Sequence, residues 1–129
     1  MGFSGDAVEK VLRKAEAAGL LDDSLFARLW VEDRLLYHPI SRRAVERELA
    51  EKGIAAETIG QVLEALYPAA KEKQLALQLA QSRYERTSGL TQLQRTRRTI
   101  AHLNRRGFPV AMAKGIVRML ENQESKDDG

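Results

Sequence analysis

Apolar residues recur along most of the chain at intervals of three and four, the spacing that gathers side chains on one face of an α-helix, and not with the alternation of a strand. Ile59, Val62, Leu63 and Leu66 follow the i, i+3, i+4, i+7 pattern, as do Val8, Val11, Leu12 and Ala15 and, near the far end, Ala113, Ile116, Val117 and Leu120. The breaks between periodic runs fall at residues that start or stop helices. Asp22, Asp23 and Ser24 precede an apolar run, as side chains able to accept hydrogen bonds from the free N–H groups of a first turn. Ser41, Thr91 and Pro109 mark three further starts, Pro109 being tolerated because a first-turn residue needs no intrahelical N–H bond. Gly19, Gly53 and Gly107 close helices, since the left-handed backbone of a helix end is easiest for glycine. The pattern predicts an all-α protein of seven helices, over residues 6–18, 23–37, 41–52, 56–67, 69–87, 91–106 and 109–122.

Two of the glycines expose an internal repeat. Leu49-Ala50-Glu51-Lys52-Gly53-Ile54 lines up with Leu103-Asn104-Arg105-Arg106-Gly107-Phe108 at an offset of 54 residues: Leu, spacers, a base, Gly, then an apolar residue. The helices that follow carry the matching stripes of Ile59 to Leu66 and Ala113 to Leu120, and the Val8 to Ala15 stripe repeats the same spacing at an offset of 51. The expected organisation is therefore the last helix of a partial first repeat over 1–21, three-helix repeats over 22–67 and 68–122, and an acidic disordered tail over 123–129. Stacked units of this kind form an elongated tandem array; the alternative is a single globular bundle in which the match is coincidence. The helix from Asp23 to Tyr37 is apolar on two sides, Phe26, Ala27, Trp30 and Val31 on one and Leu25, Leu29 and Leu36 on the other, so it needs neighbours on both. Trp30 is expected in the core. Gly60 and Gly115, inside helices, are expected at close helix crossings.

Composition supports the helical reading and narrows the chemistry. Ala, Leu, Glu, Lys, Arg and Gln abound while only three Pro and seven aromatic residues occur in 129, which favours helices over sheet. No Cys is present, so there is no disulfide framework, thiol nucleophile or Cys-based zinc site, a usage that suits a reducing compartment. Neither a basic start with an apolar core nor a run of 18 apolar residues occurs, so the expectation is a cytoplasmic protein with no membrane contact.

No catalytic residue, cofactor, metal or small-molecule substrate is expected. None of the nine glycines sits in a Gly-x-Gly or precedes Lys-Ser or Lys-Thr at phosphate-loop spacing. His38 and His102 have no ligand partner three or four residues on, and both are expected to be exposed. Asp22-Asp23 is better suited to capping and to the helix dipole than to acid–base work.

What remains is charge. The formal net charge of +3 conceals a division: residues 1–66 hold 9 basic and 12 acidic groups, residues 67–120 hold 11 and 2, and residues 121–129 hold 1 and 4. The second repeat is thus a positive block suited to phosphate or to an acidic protein surface. In the helix from Thr91 to Arg106, Leu93, Ile100 and Leu103 are expected to face the core, with Arg95, Arg98, His102 and Arg105 opposite. Arg106 lies beside that stripe, and Arg83 and Arg86 come from the preceding helix. Guanidinium forks suit phosphate and carboxylate oxygens. No aromatics interleave with them, so base stacking is not suggested, and no sequence-reading helix-turn-helix is evident.

Gly19-Leu20-Leu21-Asp22-Asp23, then Phe26-Ala27 and Val31-Glu32-Asp33-Arg34, then Leu49 to Ile54 with its echo Leu103 to Phe108, resemble the signature of the RecX regulatory proteins of bacteria, over nearly the whole chain from Val8 to Leu120. The resemblance implies a tandem array of three-helix units that binds the RecA filament, lodges along its groove and restrains recombinase and coprotease activity; it also implies DNA binding without evident sequence preference. It carries over no catalytic residue. The family ordinarily has a first repeat upstream, of which only the last helix is expected here. It often has Gly and basic residues where this chain has Tyr37-His38-Pro39-Ile40. A sequence-neutral DNA-binding module and a scaffold for an unrelated acidic protein are the competing expectations.

Overall fold

The helices start where side chains satisfy their first N–H groups. In the computed structural model, which describes residues 5–19 and 22–128, Asp22 Oδ1 accepts from Leu25 N at 2.8 Å and Ser41 Oγ from Ala44 N at 3.1 Å. Thr91 and Gln94 cap each other reciprocally, a capping box. Pro109 stands just outside its helix, where its carbonyl accepts from Ala113 N at 3.0 Å. Among the described residues there are seven helices and no strand: α1 Gly5–Ala17, α2 Asp23–Tyr37, α3 Arg42–Glu51, α4 Ala56–Leu66, α5 Ala69–Arg86, α6 Gln92–Arg105 and α7 Val110–Asp128.

Their ends explain the repeated glycines. Gly53 and Gly107 have φ of 85° and 91°, values that cost any residue with a Cβ about 1 kcal/mol or more. At the first, Ile54 N reaches back to Leu49 O at 3.1 Å and Gly53 N to Ala50 O at 3.0 Å; at the second, Phe108 N reaches Leu103 O and Gly107 N reaches Asn104 O at the same two distances. This pair of bonds is the Schellman motif. The apolar residues that flank both motifs, Leu49, Ile54, Leu103 and Phe108, are all buried. The motif satisfies the last carbonyls of α3 and α6 and aims the chain into the next helix.

The chain forms two compact units, Met1–Ala69 and Ala70–Gly129. In the first, α2 packs on α4, α3 and α1. Its core contains the expected face of α2, Phe26, Ala27, Trp30 and Val31, with Val45, Leu49, Ile59, Val62 and Leu63. Tyr67 is fully buried and donates its hydroxyl to Ile40 O at 2.8 Å, while its own carbonyl accepts from Arg42 Nε at 2.9 Å. Charged groups close one side of this core. Arg34 and Lys52 lie over the Trp30 ring at 4.6 and 4.8 Å, and Glu48 accepts from Trp30 Nε1 and, in a two-point pair, from Arg34. Arg13 of α1 bonds Lys52 O at 3.0 Å, tying α1 to the end of α3.

In the second unit Ala76, Ala80 and Tyr84 of α5 pack with Leu103, Phe108, Ala113, Ile116 and Leu120.

Several expectations need correction. Val11, assigned to a buried stripe, is 66% exposed, because Leu12 is the α1 residue that enters the core. Leu36, on the expected second apolar side of α2, is 71% exposed, since it lies in the last helical turn where no neighbour covers it. Gly60 and Gly115 are not crossing points: a Cβ at either would meet nothing within 4 Å. The expected acidic tail over 123–129 is helical as far as Asp128, with Gly129 outside the described residues, and Glu124 of its first turn pairs with Arg95 of α6. Leu20 and Leu21 of the sequence signature also lie outside the described residues.

Two outcomes follow for denaturation in urea. Leu49→Ala and Leu103→Ala should each lower stability by about 2 to 5 kcal/mol, because each empties a closed site. Gly60→Ala and Gly115→Ala should raise it by about 0.5 to 1 kcal/mol each, through helix propensity in open space; a loss at either would mean that the position is a packed crossing after all.

Candidate functional site

The basic residues of the second unit divide into two groups, and α6 makes the division. This helix contains no acidic residue. Its inward face is Arg95, Thr99 and Leu103, spaced by four and all buried. Leu93, expected in the core, is 58% exposed, and Ile100 is only half-buried. The true inward axis is rotated toward Arg95, the residue that the sequence pattern placed on the opposite stripe.

Arg95 is 6% exposed, and groups from two other helices compensate its burial. From α7, Glu124 accepts from Nη1 with both oxygens, at 2.9 and 3.0 Å. From the end of α5, Tyr84 O accepts from Nη2 at 2.9 Å, and the guanidinium lies 3.6 Å from the centre of the Tyr84 ring. A buried arginine is stable only with such partners. Burial pushes the Tyr84 phenol above its ordinary pKa, against the lowering influence of Gln92 and Arg95. The next residue of α6, Thr96, donates to Glu121, about one turn before Glu124 on α7. Arg95 is therefore a structural residue and not part of an exposed stripe. Sequence spacing missed this because the partners Glu124 and Tyr84 lie 29 and 11 positions away.

The other arginines converge. Arg83, Arg97, Arg98 and Arg105 line a shallow hollow with Ala101 at its side. Arg97 is the member that the sequence reading omitted; the adjacent Arg97-Arg98 pair, with a small residue four positions after Arg97, was the available signal. Among the described residues Arg86, Arg97, Arg98 and Arg105 enter no ion pair. Arg83 is partly covered, and its Nε is buried without a hydrogen-bond acceptor. Thr87, whose hydroxyl donates to Arg83 O and Tyr84 O, closes the end of α5 from which Arg83 projects.

His102 sits within this cluster, half-buried rather than exposed as expected. Its pKa is pushed below the ordinary histidine value, first by partial burial and then by the charges of Arg106, Arg83, Arg105 and Arg86. The cluster thus unites six of the seven residues expected from the sequence, Arg83, Arg86, Arg98, His102, Arg105 and Arg106; it excludes Arg95 and adds Arg97. Such a surface can hold anionic oxygens by charge-assisted forks. Among the described residues no group of three or more His, Cys, Asp or Glu is placed to hold a metal ion, and no helix is long and apolar enough to cross a membrane.

Arg95→Ala should destabilise the fold by about 1.5 to 3 kcal/mol, the range for hydrogen bonds to a charged group. The lower figures apply because Glu124 is 44% exposed in its side chain and can rehydrate. Arg97→Ala and Arg98→Ala should stay within about 0.5 kcal/mol of the parent. Thermal melting of the three variants separates a structural arginine from two surface ones.

Residues 22–63 match the family model described as RecX, second three-helix domain, a span that covers α2 and α3 and most of α4. The chain is 35% identical over 122 residues to the regulatory protein RecX of Streptomyces coelicolor, covering 95% of this chain and 64% of that protein. It is 34% identical to RecX of Thermobifida fusca, with coverage of 88% and 60%, and 37% identical to RecX of Mycolicibacterium smegmatis, with coverage of 97% and 69%. It therefore spans somewhat under two-thirds of the first two relatives. No solved structure matches the chain.

Proposed function

The chain belongs to the RecX family of regulatory proteins, and on that premise we propose that it is a non-enzymatic, cytoplasmic regulator that binds the RecA nucleoprotein filament and restrains its recombinase, ATPase and coprotease activities. The observation that carries this reading to particular residues is the gathering of Arg83, Arg97, Arg98 and Arg105 around one hollow, with Arg86 and Arg106 close to the same histidine. A nucleoprotein filament presents phosphate and carboxylate groups along a groove, and a cationic face meets either. Its long-range attraction speeds encounter and sets orientation, while the apolar parts of the contact resist salt. Occupation of the groove then perturbs filament growth, ATP turnover or the access of other proteins. No covalent chemistry is required of any side chain.

A second reading is favoured by the hollow's own lining, which is cationic apart from Ala101: a DNA-binding module that neutralises phosphates without reading bases. Such binding weakens steeply with salt, by up to about 0.9 in log–log slope for each phosphate contact on duplex DNA and about 0.7 on single strands.

Titrating the protein into RecA on single-stranded DNA should lower the rate of ATP hydrolysis, and the protein alone should hydrolyse nothing. At physiological salt more of it should bind preformed filaments than free DNA. The triple variant Arg97→Ala, Arg98→Ala, Arg105→Ala should keep its fold and lose most of the inhibition. An unchanged ATPase rate at protein equimolar with RecA would sink the regulatory reading, and equal binding to filament and free DNA would promote the module reading. A folded triple variant as inhibitory as the parent would remove the arginine hollow from either.

A further inference from the structure

We propose that His102 couples the arginine hollow to pH: when a nucleic-acid phosphodiester settles among Arg83, Arg97, Arg98 and Arg105, His102 takes a proton from solvent, and occupancy strengthens on acidification. The inference rests on the reading of this surface as an anion site and adds its regulation.

The argument begins with placement. His102 lies on the α6 arc between the buried Leu103 side and the exposed Arg98 and Arg105, and it is half-buried. Two of the arginines that line the hollow, Arg83 from α5 and Arg105 from α6, are also among the charges that act on His102; the other two are Arg86 at the end of α5 and Arg106 at the end of α6. The charges that weigh most on its protonation are all guanidinium groups, from the end of α5 and the end of α6. An anion in the hollow would set a negative charge against that positive field.

In the empty site four guanidinium groups and partial burial disfavour the imidazolium, so His102 is neutral at neutral pH. A phosphodiester among the arginines offsets that repulsion, which favours the charged form. The bound state thus has the higher affinity for protons. By linkage, affinity for the anion rises as pH falls. The rise begins at the bound-state value, above the depressed value of the empty site, and ends once His102 is protonated in both states. Within that window a single coupled proton changes affinity by up to about tenfold per pH unit. The resting fold behaves in the complementary way. Because the depressed value favours neutral His102, its contribution to stability is present above about pH 6.5, the ordinary histidine value, and is lost on acidification through the folded value.

The test uses the full chain and an oligothymidylate probe, whose phosphodiesters and bases do not titrate between about pH 5 and 8, the range in which histidine does. NMR titration of the two histidine rings, free and with the probe, should show the His102 midpoint moving upward on binding. Anisotropy at constant ionic strength should show tighter binding at lower pH. This dependence should disappear in His102→Gln and persist in His38→Gln. Probe binding with an unmoved His102 midpoint, or with the same pH dependence in His102→Gln, would overturn the coupling and leave the anion site standing. If the parent binds no probe at any pH, even at low salt, the anion site and the coupling both fall. The ring titration of the parent needs no variant, so a misfolded His102→Gln would not spare the proposal.

Discussion

The second unit is organised around one buried charge. A guanidinium at the first turns of α6 is costly to remove from water, and the position of Arg95 is acceptable only because Glu124, Tyr84 O and the Tyr84 ring surround it. Those partners come from α7 and from the end of α5, so one side chain joins all three helices. The same contact sets the rotation of α6 about its axis. With Arg95, Thr99 and Leu103 inward, Arg97, Arg98 and Arg105 must point outward, and the hollow they line is a consequence of that setting. The length of α7 is tied to it as well. Glu121 and Glu124 lie beyond Leu120, the last apolar position of the stripe, and their bonds to Thr96 and Arg95 extend the contact of α7 with α6 past the apolar core.

The first unit solves a similar problem with different parts. Trp30 and Tyr84 stand 54 positions apart, the offset of the repeat, and each supports a guanidinium whose carboxylate partner comes from another helix. In the first unit the cation is Arg34, on the aromatic's own helix, and the acid is Glu48. In the second the cation is Arg95 and the acid is Glu124. His102 occupies the repeat position of Glu48. A carboxylate that pairs with Arg34 in the first unit is thus replaced by a titratable imidazole in the second, and the two units diverge in charge although their backbones turn through the same glycine motif. The result is one unit with mixed charge and another with a cationic face.

Most of the architecture was legible without coordinates. Apolar spacing located seven helices to within one or two residues at most ends, and α2 was placed at its observed bounds. Asp22, Ser41 and Thr91 identified three starts, and Gly53 with Gly107 identified both turns and the repeat that relates them. These features are local: a cap, a left-handed turn and a 3.6-residue period act between residues a few positions apart, so the sequence states them directly. The clustering of Arg83, Arg86, Arg98, Arg105 and Arg106 near His102 was also visible, because charge density survives a small error in helix rotation.

What only the tertiary structure decided is which polar residues are inside. Arg95 reads as surface and Leu93 as core, yet α6 is turned the other way, because a carboxylate 29 residues further on makes the arginine cheaper to bury than sequence spacing can indicate. Arg97 joins the hollow through that same rotation. The expected tail continues α7, with Glu121 just before it and Glu124 within it paired to α6, and Gly60 and Gly115 face open space although their positions within helices suggested contact. Each of these outcomes depends on long-range pairing, and a period measured along one helix contains no information about the group that another helix will bring to it.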